Sequence, residues 1–334
     1  MDPITQGLVG AALPQAVGKK QHLMVAGVLG LLAGMAPDLD VLIRSSTDPL
    51  LFLEFHRQFS HSLFFIPIGS LICALVLHPL FAKKQGLSFK QTWFYCALGY
   101  STHGLLDACT SYGTQLFWPL NDVRYAWNTV SVVDPAFSLP ILVLLFGGIL
   151  MRSPWLPRVA LMWALTYLVL GASQRDKAES AGWQLAKARQ HSPVRLEAKP
   201  TFGNILVWKV IYETQDNYFV DAVRVGTSIK TYSGDSIPKL EVGRDFPWLG
   251  PKSQQARDIE RFRHFSNGYL AQDPNQKLRI IDVRYSMVPN RIDALWSIQL
   301  SRNVTDDTHV KYATHRDNSA RTRKAFLKML SDVD

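Results

Sequence analysis

Leu63-Phe64-Phe65-Ile66-Pro67-Ile68-Gly69-Ser70-Leu71-Ile72-Cys73-Ala74-Leu75-Val76-Leu77-His78-Pro79-Leu80-Phe81-Ala82 runs for twenty residues without Asp, Glu, Lys or Arg. Twenty helical residues rise roughly 30 Å, the thickness of the hydrocarbon core, so the stretch reads as a membrane span. Further apolar stretches lie on both sides of it. Residues 23–36 are rich in Gly and Ala, which permits close helix packing in lipid. Residues 93–106, 136–151 and 159–172 complete a set of five. Residues 4–17 are apolar but short and carry Pro14, so they form a weaker, tilted or re-entrant sixth. The expected fold is a mainly α membrane domain of five to six transmembrane helices over residues 1–174, followed by a soluble α+β domain over residues 175–334.

Charge separates the two halves. Of 36 Lys+Arg and 27 Asp+Glu in the 334 residues, residues 1–172 hold only 10 and 8, leaving +7 of the net +9 in the tail. The tail's basic residues are interleaved with acids, so a solvated surface is expected and no nucleic-acid patch is evident. Cys73, Cys96 and Cys109 form no CxxC pair, which implies neither a disulfide framework nor a thiolate zinc site. Residues 204–213 and 218–225, rich in Ile, Val, Tyr and Trp, read as a hairpin across Thr214-Gln215-Asp216-Asn217. Residues 278–287 and 294–300 read as a second strand pair, residues 319–330 as a basic amphipathic helix, and residues 175–190 as a helix leaving the membrane.

With six spans, Lys19, Lys20, Lys83, Lys84, Lys90, Arg152 and Arg158 share one side with no acid among them. The positive-inside rule makes that side cytoplasmic. The opposite loops, and the tail with them, are then expected on the outer side of the membrane.

Those outer loops hold the chemistry. Pro37-Asp38-Leu39-Asp40 is followed by His56-Arg57-Gln58-Phe59-Ser60-His61-Ser62, and then by His103-Gly104-Leu105-Leu106-Asp107. Ionisable residues at membrane depth are costly unless paired, solvated or metal-bound. His103 and Asp107, four apart in a helix, share a face and suit either one ion or a plain His–Asp hydrogen bond. After the break that Pro37 imposes, Asp38 and Asp40 would point the same way in an extended segment, bridging a cation. An ordinary turn capped by Asp38 competes with that reading. His56 and His61 stand about 140° apart on an ideal helix. They converge only if the chain turns between them, or if one stands behind the other; an exposed polar loop is the bland alternative. Ser60 and Ser62 suit either a helix cap or a hydrogen bond to a ligand.

The conjunction of these segments on one side of the membrane makes Asp38, Asp40, His56, His61, His103 and Asp107 the candidate metal ligands. Arg57 is the candidate partner of an anionic substrate, and Asp134 a candidate base. Mixed imidazole and carboxylate ligation suits zinc foremost, then manganese or iron. Hydrolysis of a lipid-linked or amphipathic substrate, such as a phosphoester, is the reaction class expected at headgroup depth. A non-catalytic scaffold with a structural ion and a partner-binding tail is the alternative. Ion transport ranks last, because the polar residues gather at span ends. Phe117 and Trp118 look interfacial, with Gln115 able to face the site. The remaining histidines read as surface or interfacial residues.

At these residues the chain resembles the YdjM-like family of bacterial inner-membrane proteins, described from their motifs as metal-dependent hydrolases. The resemblance is carried by Met1-Asp2-Pro3-Ile4-Thr5-Gln6, the Pro37–Asp40 run, Glu54-Phe55-His56-Arg57 with Ser60-His61-Ser62, Thr102-His103 with Asp107, and Tyr112–Pro119. It implies a membrane-embedded hydrolase domain with Asp38, Asp40, His56, His61, His103 and Asp107 as ligands. Gln58 replaces a glycine common in relatives, and Gln6 a histidine found in some branches.

Overall fold

A computed structural model describes residues 1–332 and divides them into two compact units. The first comprises Met1–Leu42, Phe55–Ser173 and Phe202–Ile205; the second comprises Ile43–Glu54, Gln174–Thr201 and the chain from Leu206 onward.

The first unit is helical. Asp2 caps α1 (Pro3–Val17) by accepting from the Thr5 N–H at 3.0 Å, and Pro3 suits the first helical turn, where no partner for its nitrogen is needed. α1 is one continuous helix through Pro14, with residues on all its faces buried. α2 (Leu23–Met35) passes directly into a 3-10 helix over Ala36–Leu42. After α3 (Leu51–Phe55, largely in the second unit), 3-10 turns at Phe59–His61 and Leu63–Phe65 lead into α4 (Ile66–Leu77). A π-turn at His78–Ala82 prolongs α4. α5 (Phe89–Ala108) starts from a capping box between Ser88 and Gln91. α6 (Pro135–Leu150) and the 34-residue α7 (Trp155–Ala188) complete the set.

Helices α1, α2 and α5 meet through small residues. A Cβ on Gly30 would lie 2.3 Å from the Gly10 carbonyl oxygen, and one on Gly99 would lie 2.4 Å from that of Gly30. Only glycine lets these backbones approach so closely. Three stretches among the described residues are long and apolar enough to cross a membrane: Lys20–Leu42, Leu63–Gln85 and Trp155–Ala188. Pro135–Leu150 is apolar but shorter. Leucine, valine and phenylalanine side chains stand exposed along α4, α6 and the start of α7, as lipid contact requires.

The second unit carries two antiparallel sheets. In the first, β1 (Arg195–Pro200), β2 (Val207–Glu213), β3 (Asn217–Val225) and β4 (Ile229–Tyr232) lie in sequence order, and β5 (Ser236–Pro238) also pairs β3. The expected hairpin is present, with Glu213 opposite Tyr218 and Val207 opposite Arg224. Next come α8 (Val242–Asp245) and α9 (Gln254–Phe265). The second sheet orders β6 (Leu270–Gln272), β7 (Arg279–Asp282), β8 (Trp296–Gln299) and β9 (Lys311–Thr314). The pair expected over 278–287 and 294–300 is β7 with β8, in shorter form. α10 (Ala320–Ser331) fits the expected basic helix. The helix expected over 175–190 is not separate, because α7 runs into it unbroken. One core of this unit gathers Phe246, Ile259, Phe262, Leu270 and Leu300 with Leu50 and Leu53, contributed from far upstream.

Candidate metal centre

Three segments of the first unit converge on one point. Asp38 comes from the 3-10 helix after α2, His61 from the 3-10 turn before α4, and His103 and Asp107 from adjacent turns of α5. Each offers one donor atom, and these atoms all lie within 4.8 Å of one another. The Nε2 atoms of His61 and His103 are 2.9 Å apart. Asp38 Oδ1 is 3.5 Å from both, while Asp107 Oδ2 lies 3.2 Å from His61 and 3.7 Å from His103. Gly104 makes this convergence feasible, because a Cβ there would sit 2.1 Å from the His61 carbonyl oxygen.

Both imidazoles are oriented from behind. His103 Nδ1 is 2.6 Å from the Gly34 carbonyl oxygen, which can only accept, so Nδ1 carries the proton. His61 Nδ1 lies 3.2 Å from Asp40 Oδ2 and 3.0 Å from Ser60 Oγ, whose hydroxyl donates to the same Asp40 oxygen at 2.8 Å. Each ring therefore turns its Nε2 lone pair into the cluster, as metal-ligating histidines do. Two lone pairs this close repel unless a cation lies between them, whether a proton or a metal ion. Asp38 Oδ2 and Asp107 Oδ2 add buried carboxylate oxygens without a hydrogen-bond donor. The His61 ring, outside the apolar spans, reports the same demand for positive charge. Burial alone would lower its pKa, yet Asp107, Asp38 and Asp40 raise it to about 10. Two imidazoles and two carboxylates, with no thiolate, fit zinc, manganese or iron.

Asp40 and His56 stand outside this four-residue group. The expectation of an extended Asp38-Leu39-Asp40 run, with both carboxylates pointing one way, is corrected by the 3-10 conformation there. At three residues per turn, i and i+2 point in different directions. Asp38 faces the Nε2 atoms, whereas Asp40 faces His61 Nδ1, His56 Nδ1 at 2.8 Å and the Arg57 N–H at 3.1 Å. The chain does turn between the two histidines, at Arg57, whose φ of 64° is left-handed. That strained backbone is held on both sides, by Asp40 and by the Gln115 N–H donating to the Arg57 carbonyl at 2.9 Å.

The Arg57 side chain is buried against the site. Its Nε lies 3.1 Å from Asp107 Oδ2, within ion-pairing reach though not aligned for a hydrogen bond, and Nη1 donates to Thr110 Oγ1 at 3.1 Å. The guanidinium also stands 5.0 Å above the Tyr112 ring. Gln6 donates to Asp107 Oδ1 at 2.9 Å, and the Met1 amino group contacts the same oxygen. Asp134 lies elsewhere: it caps α6 through the Phe137 N–H at 3.4 Å and accepts from the Tyr167 hydroxyl at 2.9 Å. Ser62 caps the 3-10 turn that follows it. The sequence gives no sign of the Gly34 carbonyl, Thr110 or Tyr100, whose hydroxyl donates to the Ser60 carbonyl at 2.8 Å. Backbone acceptors and single hydroxyls carry no spacing signal.

A family model for the YdjM inner membrane protein matches residues 1–178, a stretch that contains the whole cluster. The chain belongs to the YdjM inner membrane protein family. Together with the apolar helices, YdjM membership makes it a membrane protein. The chain is 22% identical over 289 residues to YfhP of Bacillus subtilis (strain 168), covering 82% of each protein. It is 28% identical over 170 residues to the inner membrane protein YbcI of Escherichia coli (strain K12), covering 48% of this chain and 93% of YbcI. No solved structure matches this YdjM-family chain.

Proposed function

We propose that the chain is an inner-membrane, metal-dependent hydrolase acting at the bilayer interface on a lipid-linked or amphipathic substrate, a phosphoester foremost. The observation that carries this reading is the pair of Nε2 atoms 2.9 Å apart, both rings anchored through Nδ1, beside two carboxylates. A divalent ion, zinc foremost, would there polarise a phosphoryl or carbonyl oxygen and lower the pKa of a bound water. The chain's residues do the rest. Asp40 and the Gly34 carbonyl hold the imidazole tautomers, and Gln6 and Arg57 steady Asp107. Asp38, with 18% of its side chain exposed while His61, His103 and Asp107 have none, marks the side on which substrate enters. Arg57 stabilises an anionic substrate, whereas Asp134, capping α6 away from the cluster, has a structural role.

We read α1, α2, α4, α5, α6 and the first part of α7 as six crossings, with the basic loops cytoplasmic and the C-terminal unit periplasmic. One observation supports this parity. Ile43–Glu54 folds with Gln174–Thr201 and the chain from Leu206 onward, so these segments must reach the same side of the membrane. The number of crossings between them is then even.

Metal content of detergent-purified protein tests the reading. Wild type should hold stoichiometric metal and hydrolyse an amphipathic phosphoester, while His61→Ala and His103→Ala lose both. Wild type free of metal under metal-replete conditions overturns it. The burial of His61, His103 and Asp107 favours a second reading, a structural ion in a scaffold whose tail binds a protein. Retained metal without any hydrolysis would support that one.

A further inference from the structure

The segment Ile43–Glu54 belongs by sequence to the membrane half and by folding to the second unit. Leu50 and Leu53 are buried in that unit's core beside Ile259 and Phe262. Polar contacts secure the same segment. Arg261 of α9 donates to the two Asp48 carboxylate oxygens from Nη1 at 3.0 Å and Nη2 at 2.7 Å, and from Nε to Glu54. Its Nη1 also donates to Asp258 at 2.9 Å, and Asp258 is itself fixed by His309 Nδ1 at 2.8 Å and the Val310 N–H at 3.1 Å. One guanidinium thus gathers three carboxylates, a bidentate geometry that only arginine provides. Burial works to raise the Asp48 pKa, but Arg261 holds it below the usual carboxylate range.

Both ends of this segment lead to the candidate metal centre. Asp38 and Asp40 precede Ile43, and His56 and His61 follow Glu54. We infer that Arg261 is a positioning residue for that centre: by clamping Asp48 and Glu54, it fixes the course of the chain between its two ligand-bearing stretches. This rests on reading Asp38, His61, His103 and Asp107 as a metal site. The physical reason is loop closure. Bringing Asp38 to His61 closes a long loop, and anchoring its middle removes much of the freedom lost on closure. Coupling of this kind is reciprocal, so metal at the site must in turn steady α9.

The test uses the full-length protein in detergent, with zinc affinity measured by competition against a chromophoric chelator. Arg261→Ala should weaken zinc binding by about fivefold or more, the low end of ordinary coupling between sites. Arg189→Ala is the control. It removes an equally good bidentate pair with Asp221, at 2.7 and 2.8 Å, inside the same unit but away from Ile43–Glu54. Arg189→Ala should leave zinc affinity unchanged. Zinc should also slow hydrogen exchange in α9 of wild type and fail to do so in His103→Ala. Unchanged affinity in Arg261→Ala, or equal losses in both arginine variants, overturns the inference while the metal site stands. Wild type that binds no zinc overturns both.

Discussion

Replacing Gly104 by alanine sets two well-known effects against each other. Helix propensity alone favours the change, since alanine in a helix interior is better than glycine by about 1 kcal/mol. The local geometry opposes it. The new Cβ would lie 2.1 Å from the His61 carbonyl oxygen, where ordinary contact begins at 3.4 Å, so about 1.3 Å of separation must be found. The obstacle is backbone, not the end of a flexible side chain, and the His61 segment must retreat from α5. Overpacking of this kind costs about 1–3 kcal/mol, enough to cancel or exceed the propensity gain. The larger consequence is functional. His61 Nε2 now sits 2.9 Å from His103 Nε2, and a retreat of an ångström would open the cluster. Losing the surroundings that orient a ligating histidine costs roughly 10- to 100-fold in metal affinity. We expect Gly104→Ala to weaken zinc affinity by roughly 10- to 100-fold in chelator competition, and to lower the midpoint of thermal unfolding in detergent. Wild-type affinity combined with raised stability would refute the close approach of these two segments.

Asp40→Ala should weaken metal binding by roughly 10- to 100-fold without removing a ligand of the four-residue group, because it frees the His61 ring that Asp40 orients. Metal titration of the folded variant checks this, and an unchanged affinity would mean that Ser60 alone suffices. In the second unit, Lys209 is buried and donates to Ser286 Oγ at 2.7 Å and the Arg291 carbonyl at 2.9 Å, and burial lowers its pKa to about 7. The unfolded chain, with a lysine pKa of 10.5, holds this proton more firmly. Stability of the unit should therefore rise as pH increases from about 7 toward 10. Denaturant titrations across that range should show the rise in wild type and a flatter profile in Lys209→Met.

The sequence was most readable where side-chain spacing and secondary structure agree. His103 and Asp107 share a face of α5 as four-residue spacing in a helix requires. The β2–β3 hairpin and α10 follow from β-branched runs and amphipathic periodicity. Legibility failed where local geometry departs from the regular forms. Pro37 reads as the end of helical structure, whereas the chain tightens into a 3-10 helix and sends Asp38 and Asp40 apart. α9 carries no clear sequence signal because Gln254–Phe265 is dominated by polar residues, and its buried face mixes Ile259 and Phe262 with Gln255 and Asp258. The assignment of Ile43–Glu54 to the distant unit was invisible for a different reason. Its anchors, Leu50, Leu53 and Asp48, find their partners more than 180 residues away in the chain, and no periodicity records such a pairing.

That long reach has a consequence for synthesis. A ribosome delivers Ile43–Glu54 more than 200 residues before Ile259, Arg261 and Leu300. Until then Leu50 and Leu53 are without their native cover, and the nascent chain carries an apolar patch beside its first membrane segments. A factor that shields newly made hydrophobic loops would be most needed in that interval. Conversely, a chain cut before Leu240 would leave the patch permanently bare.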